Sequence, residues 1–239
     1  FIGRTDELAF LESCYASGKA QLVVVYGRRR VGKTELLTRF AQHKPHVFLA
    51  SPSASKNEQL AAFSKQMFEA GSPAAQYISQ YADWESALKD IANIPVREDQ
   101  RKLVIIDEFP YLVKSDNSLP SLIQNLWDHV LKNDNVMLVL CGSAMSFIEK
   151  EILSEKSPLY GRATGILKVQ PMPYWDAAEF VPDYSPADKA LTYAILGGIP
   201  HYLAQFDPDE NVETNIKQHI LRRETALYSE TEFLMHQEF

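Results

Sequence analysis

Short runs of aliphatic and β-branched residues alternate with longer segments of helical periodicity over most of the first 170 residues. The runs are about as long as a buried strand, and turn-forming or charged residues end them. The longer segments have apolar residues at spacings of three and four, which is typical of helices buried on one face. The predicted strands are 21–26, 46–50, 103–107, 136–141 and 165–170, and the predicted helices are 33–43, 57–70, 84–94, 119–132 and 146–153.

The strand pattern ends near residue 172, and only helical patterns follow it, at 174–181, 186–196, 200–206 and 212–227. Strands that alternate with helices predict a parallel sheet with helices on both faces. We therefore predict an α/β core at residues 1–172 and a small helical lid domain at residues 173–239. The chain begins at Phe1 rather than Met, so we expect a piece of a longer protein.

Composition narrows the classes of function. Hydrophobic residues make up 46% of the 239 residues and charged residues 23%, an ordinary globular balance. The net charge of -7 argues against broad nucleic-acid binding, although a local basic strip, and so a DNA partner, stays open. The apolar runs are too short to cross a bilayer. Cys14 and Cys141 have no CxxC spacing, and a buried, reduced Cys141 suits the cytoplasm.

A glycine-rich segment separates the first predicted strand from the following helix, and it fits the phosphate-binding pattern Gly-x4-Gly-Lys-Ser/Thr. Its glycines let backbone N–H groups turn inward, and the following helix points its positive end at the phosphates. We expect Lys33 to reach the β- and γ-phosphates and the Thr34 hydroxyl to bind Mg²⁺. The predicted nucleotide-binding loop consists of Gly27, Arg28, Arg29, Arg30, Val31, Gly32, Lys33 and Thr34.

The three consecutive arginines of this loop invite a nucleic-acid interpretation. The backbone of these residues is expected to bind phosphate, however, so their side chains are expected to point outward. Holding the loop, meeting a neighbouring subunit and contacting DNA all remain open for them.

The strand predicted at 103–107 ends in two acids, Asp107 and Glu108. A buried strand that ends in an acid places it at the carboxyl edge of the sheet, where ligands bind in open α/β folds. We expect Asp107 to hold Mg²⁺ and Glu108 to orient and polarise the attacking water. A solvated turn is the alternative, and the phosphate loop makes it the weaker one.

Two further residues are candidates for catalysis. Ser143 follows the strand predicted at 136–141, so its hydroxyl could touch the γ-phosphate or the lytic water. Arg162 precedes the last predicted strand and could supply positive charge in the transition state. A plain turn serine and a surface arginine are the alternatives. The candidate catalytic residues are Lys33, Glu108, Ser143 and Arg162.

Five motifs occur along the chain in a fixed order. They are Phe1-Ile2-Gly3-Arg4 with Glu7, the phosphate loop, Asp107-Glu108, Gly142-Ser143 and Gly198-Ile199-Pro200. Together they resemble the archaeal-type ATPase family (ATPase domain 2), within the AAA+-related STAND class of P-loop nucleotide switches. The resemblance spans nearly the whole chain. It implies a P-loop NTPase fold of AAA+/STAND type, with ATP or ADP and Mg²⁺ as cofactors.

The same resemblance assigns residues outside the loop. It implies that Ile2, Gly3 and Arg4 line the base or ribose side and that Pro200 approaches the nucleotide from the lid. A bare helix break is the alternative for the Gly198-Ile199-Pro200 motif, because a glycine before a proline interrupts helices. Many family members continue into a winged-helix region and a nuclease-like domain, so we expect the lid to lead into a truncated winged helix.

The motifs thus predict a Mg-dependent ATPase, and the family resemblance implies that its turnover is slow and that it acts as a switch domain. The alternative is a nucleotide-holding interaction or DNA-associated module with negligible turnover and output through a further C-terminal domain. A phosphotransferase acting on a small molecule is disfavoured by Glu108 and by the long helical lid. The sequence leaves open the protein partner, the oligomeric state and the pathway.

Overall fold

Five parallel strands form the central sheet of the protein. The computed structural model describes residues 1–230, and its sheet has the order β2-β3-β4-β1-β5. Each neighbouring pair of strands is parallel. The strands are β1 Gln21–Tyr26, β2 His46–Ala50, β3 Lys102–Asp107, β4 Val136–Gly142 and β5 Gly165–Lys168.

Helices precede the sheet and connect its strands. Three short 3₁₀ segments, Pro73–Gln76, Asp90–Asn93 and Leu131–Asn133, supplement them, and a π-helical segment, Ile148–Ile152, continues α7. The helices are α1 Thr5–Ala16, α2 Lys33–Ala41, α3 Lys56–Glu69, α4 Trp84–Lys89, α5 Phe109–Ser115, α6 Leu119–His129 and α7 Met145–Phe147.

Burial distinguishes the inner strands from the edge strands. Every residue of β4 is buried, and β1 and β3 are buried except for their first residues. Because successive side chains of a strand point to opposite faces, this pattern means that both faces of the sheet are covered. The edge strands β2 and β5 also contain exposed residues. These observations confirm the predicted parallel α/β sheet.

The register brings the carboxyl ends of the inner strands to one edge. Tyr26, the last residue of β1, lies beside Gly142, the last residue of β4. Ile106 of β3 lies beside Leu140 of β4. The segments that follow β1, β3 and β4 therefore leave the sheet at the same edge, and these segments carry the predicted site.

Contacts divide the chain into two units. The core unit comprises Thr5–Arg29 and Lys33–Val169, and the C-terminal unit comprises Phe1–Arg4, Arg30–Gly32 and the chain from Gln170 onward. The predicted division at residue 172 followed chain order and so placed the two short segments in the core. Contacts between residues far apart in sequence group them with the later helices instead.

The C-terminal unit has its own small hydrophobic core, formed by Met172, Ala177, Leu196, Leu203 and Phe206. Its helices are α8 Tyr174–Ala178, α9 Pro186–Leu196, α10 Pro200–Leu203 and α11 Val212–Asn215, followed by the π-helical segment Ile216–Ile220. Residues 231–239, which the predicted lid includes, lie outside the described residues.

Three helical predictions need correction. No helix is predicted from the sequence at α1 or α5, and one continuous helix is predicted at 212–227. Leu221 instead donates its N–H to Ile216 O, five residues back, which ends the helix in π geometry before the turn at 221–225. Helix α1 has apolar residues at consecutive positions, Ala9 to Leu11, so its sequence lacks the one-sided spacing that marks a helix.

Candidate functional site

The segment after β1 turns sharply and starts α2. A Cβ atom at Gly27 would lie 2.3 Å from Val169 O, so this position excludes every side chain. Gly32 has φ 87°, a left-handed conformation that glycine adopts without strain. The close contact at Gly27 and the backbone angle at Gly32 explain why the pattern requires glycine at both positions.

Lys33, the first residue of α2, is buried with 6% of its surface exposed. Its Nζ donates hydrogen bonds to Gly27 O and Arg28 O, each at 3.0 Å. Burial lowers the pKa of the Lys33 ammonium, and the nearby negative charges of Glu108 and Asp107 oppose that shift. The Lys33 ammonium is therefore held by the carbonyl groups at the start of the phosphate loop.

Thr34 and Asp107 meet although they are far apart in sequence. Thr34 Oγ1 donates to Asp107 Oδ2 at 2.6 Å, and Asp107 Oδ1 accepts from the Glu108 N–H at 2.9 Å. Asp107 ends β3 and is only 4% exposed. The hydroxyl and the carboxylate present the hard oxygen ligands that Mg²⁺ prefers.

This pair fits a magnesium ion that takes its other ligands from phosphate and water, the usual arrangement in nucleotide sites. Within residues 1–230, no group of three or more His, Cys, Asp and Glu side chains forms a separate metal site.

Glu108 and Ser143 follow neighbouring strands and are hydrogen-bonded to each other. The Ser143 hydroxyl donates to Glu108 Oε2 at 2.9 Å, and the Ser143 N–H reaches the same oxygen at 3.3 Å. Glu108 has φ 53°, an uncommon left-handed conformation for a non-glycine residue. Backbone strain of this kind is concentrated at functional sites.

Cys141 lies beneath these residues, fully buried in β4. Burial raises the pKa of its thiol well above the ordinary value, and the charge of Asp107 adds to that effect. Cys14 is also a free, buried thiol. Both cysteines are therefore inert neutral groups in this fold.

The structure does not bring Arg162 to the phosphate loop. Its guanidinium donates to the Asp128 carboxylate, with the closest N–O pair at 2.6 Å, and to Pro158 O at 2.9 Å. Thr164, two residues later, pairs with Leu22 at the start of β1. Arg162 therefore lies near the amino edge of the sheet, opposite the loop, and its geometry does not support a catalytic role within the same chain.

The opening motif contacts the middle of the loop. Arg4 is 4% exposed and donates to Val31 O and Gln170 O, both at 2.8 Å. Gly3 has φ 60°, a left-handed conformation that glycine adopts without strain, and a Cβ atom there would lie 2.3 Å from the Asp176 carboxylate, which would have to move. The side chain of Ile2 is partly exposed.

Pro200 also approaches the loop. Its Cγ lies 3.7 Å from the position that a Cβ atom of Gly32 would occupy. A Cβ atom at Gly198 would lie 1.9 Å from Met172 O, so the Gly198-Ile199-Pro200 segment passes directly over another backbone. The glycine is therefore required by a close approach of two chain segments, beyond breaking a helix.

The three loop arginines have different environments. Arg28 is exposed, Arg29 donates to Tyr111 Oη at 2.7 Å, and Arg30 forms an ion pair with Glu230. Sequence reasoning missed Tyr111 and Glu230, because neither belongs to a motif. The position of Tyr111 just after the acidic pair was the only signal available for either.

A parallel sheet, a glycine-rich loop between β1 and α2, and an acidic pair after β3 define a P-loop nucleotidase. A model of the family described as an ATPase domain predominantly from Archaea matches residues 1–206. The chain belongs to this archaeal ATPase family, which confirms the resemblance inferred from the motifs. ATP binding is the function that this class shares.

One relative matches along the whole length of this chain. The uncharacterized protein MJECL04 of Methanocaldococcus jannaschii is 31% identical over 243 residues, which covers 100% of this chain and 51% of that protein. The chain thus spans about half the length of this relative.

Two solved structures share the fold. The Walker-type ATPase PABY2304 of Pyrococcus abyssi has a TM-score of 0.72 at 20% identity, covering 99% of this chain and 76% of that one. The STAND protein PH0952 of Pyrococcus horikoshii, which carries a tetratricopeptide repeat sensor, has a TM-score of 0.54 at 16% identity. The match covers 91% of this chain and 32% of that one.

Among residues 1–230, no helix is long and apolar enough to span a membrane.

Proposed function

We propose that this chain binds Mg-ATP at residues 27–34 and hydrolyses it slowly, as the switch domain of a longer protein. The observation that carries the proposal is the pairing of Thr34 with Asp107 beside the pairing of Glu108 with Ser143. One pair suits the metal and the other suits the attacking water. Both lie at the edge of the sheet where the phosphate loop leaves β1.

Each residue has a distinct task in the proposed reaction. The loop N–H groups and Lys33 would bind the β- and γ-phosphates. Thr34 and Asp107 would hold Mg²⁺, which when bound neutralises phosphate charge. Glu108 would orient the water that attacks the γ-phosphorus, with ADP as the leaving group, and Ser143 would position that carboxylate.

The base-side assignment rests on the family. Ile2, Gly3 and Arg4 would face the base or ribose, and Pro200 would approach the nucleotide from the lid. The contacts of Arg4 with Val31 and of Pro200 with Gly32 support this proposal, because both residues already border the loop.

A nucleotide-holding module with negligible turnover is the second candidate. The observation that favours it is the double hydrogen bond from Ser143 to Glu108 Oε2. A carboxylate oxygen that already accepts two hydrogen bonds has less remaining capacity to accept a third from water. Output would then pass to a protein partner or to the rest of the chain, without hydrolysis at each event.

Nucleotide binding and phosphate release by matched variants separate the two candidates. We expect Lys33→Ala to abolish ATP binding, and Glu108→Gln to bind ATP but lose about 100-fold or more of its phosphate release. Glu151→Gln, which changes an exposed acid, is the control. Tight binding by the wild-type chain with no phosphate release, in the presence and absence of DNA, would favour the holding module. Normal release by Glu108→Gln would remove that residue from its role.

A further inference from the structure

Glu230 is a buried acid in the C-terminal unit, with only 5% of its surface exposed. One of its carboxylate oxygens, Oε1, accepts a hydrogen bond from Tyr202 Oη at 2.7 Å. The other, Oε2, accepts from Arg30 Nη1 and forms an ion pair with that guanidinium. A buried carboxylate is tolerated when both oxygens are partnered in this way, and losing either partner is costly.

Arg30 is a central residue of the phosphate loop. Its φ of 67° is left-handed, a conformation that costs free energy for any residue except glycine. Such a conformation persists only when its surroundings hold it. The ion pair with Glu230 is one of those surroundings, so Glu230 helps to fix the backbone of the loop at this residue.

The two loop residues that follow are held in a similar way. Val31 O accepts from Arg4, and Gly32 lies against Pro200. Three consecutive loop residues are thus each contacted by a different segment of the C-terminal unit. The segment that contacts Arg30 is the helical stretch 226–230, at the end of the described chain.

We propose that Glu230 is a positioning residue that couples the phosphate loop to segment 226–230, so that nucleotide binding and the ordering of this segment change together. The coupling rests on the proposed function, since it requires a nucleotide at the loop. A ligand that stabilises the paired conformation of Arg30 also stabilises the conformation of Glu230 that pairs with it. By linkage, the factor by which nucleotide stabilises this conformation of segment 226–230 equals the factor by which that conformation raises nucleotide affinity. Tyr202 contributes by holding the second carboxylate oxygen.

The direction of the coupling follows from the geometry. Glu230 supports the left-handed conformation of Arg30 in a loop whose backbone is shaped to surround phosphate. Removing the charge of Glu230 therefore weakens nucleotide binding, because the loop then has more conformations to lose on binding. It also releases segment 226–230 from the loop, so the segment no longer responds to nucleotide.

The test compares Glu230→Gln with Glu224→Gln, which changes an exposed acid in the same region. Mg-ADP affinity is measured by titration, and amide hydrogen exchange of residues 226–230 is measured with and without Mg-ADP. We expect Glu230→Gln to lose about 5- to 20-fold in affinity and to lose the nucleotide-dependent protection. Glu224→Gln should match the wild-type chain in both respects.

A second variant keeps the test decisive if Glu230→Gln fails to fold. Tyr202→Phe removes one hydroxyl and leaves the ion pair, so we expect a smaller loss of affinity, about 2- to 5-fold, with reduced protection. Unchanged affinity and protection in the folded variants would overturn the coupling alone. Absence of Mg-ADP binding by the wild-type chain would overturn the proposed function, and the coupling with it.

Discussion

The hydroxyl of Thr34 donates a hydrogen bond to the carboxylate of Asp107, and 2.6 Å separates the two oxygens. Thr34 is the second residue of α2, and Asp107 is the last residue of β3. Two different elements thus present hard oxygen ligands at one point. Under the proposed function, these two oxygens would hold the nucleotide-bound cation, and each can be replaced separately.

Replacing Thr34 by Val removes the hydroxyl and nearly preserves the side-chain shape. We expect the Mg²⁺ concentration required for half-maximal ATP binding to rise about 10-fold or more, because the cation loses one protein ligand. Nucleotide titrations at a series of Mg²⁺ concentrations measure this shift. Thr34→Ser retains the hydroxyl and serves as the control. Equal Mg²⁺ dependence in Val and Ser variants would contradict the assignment.

Replacing Ser143 by Ala removes the hydroxyl that bonds to Glu108 and leaves the weaker N–H contact. A hydrogen bond to a charged group contributes about 1.5–3 kcal/mol. We expect phosphate release to fall about 10-fold or more while ATP affinity changes little, because the bond positions the carboxylate and does not hold the nucleotide. Ser143→Thr should restore most of the rate. A fall in affinity with an unchanged rate would assign Ser143 to binding instead.

Gly198→Ala tests the close approach in the C-terminal unit. The added Cβ atom would lie 1.9 Å from Met172 O, a backbone atom that cannot move independently. We expect a loss of more than about 3 kcal/mol in the free energy of unfolding, measured by denaturant titration. Gly18→Ala is the control, since Gly18 has φ 68° and open space around it. Its cost should stay near 1 kcal/mol, from backbone strain alone.

Asp83 caps α4 by accepting the Ser86 N–H at 2.7 Å. This backbone hydrogen bond lowers the pKa of the Asp83 carboxyl. A carboxyl whose pKa is lower in the folded state stabilises the fold above its unfolded pKa, near 3.9, and that stabilisation is lost as pH falls through the folded pKa. We expect Asp83→Ala to cost about 1 kcal/mol at pH 7, or about 2–4 °C in Tm.

Asp83→Asn isolates the charge in that experiment, because the amide oxygen can still cap the helix. Its deficit relative to the wild-type chain should be smaller than that of Asp83→Ala at pH 7. It should also shrink as the pH falls below about 4 and disappear below the folded pKa of Asp83, where the wild-type carboxyl is neutral as well. Thermal unfolding at several pH values measures both trends. A deficit that stays constant with pH would contradict the role of the charge.

Local signals predicted the core strands well. Strands β1 and β2 have the predicted limits, and β3, β4 and β5 differ from theirs by two residues at most. A buried parallel strand requires an uninterrupted apolar run, so its sequence records its limits directly. Helix α5 was missed for the opposite reason. It is a single short helix of 7 residues that begins after the left-handed Glu108, and two turns are too few to show a helical period in the sequence.

The sequence by itself determined the fold class, the phosphate loop and the acidic pair, because each depends on residue types at short, fixed spacings. Only the tertiary structure decided which distant residues meet. In the structure, Ser143 is hydrogen-bonded to Glu108, and Arg30 is paired with Glu230. Arg162 is paired with Asp128 at the amino edge of the sheet, away from the loop. Strand order and chain packing set these contacts, and neither leaves a local pattern. Residues 30–32 show the difference most clearly, since their sequence identifies a phosphate loop and their contacts identify what holds it.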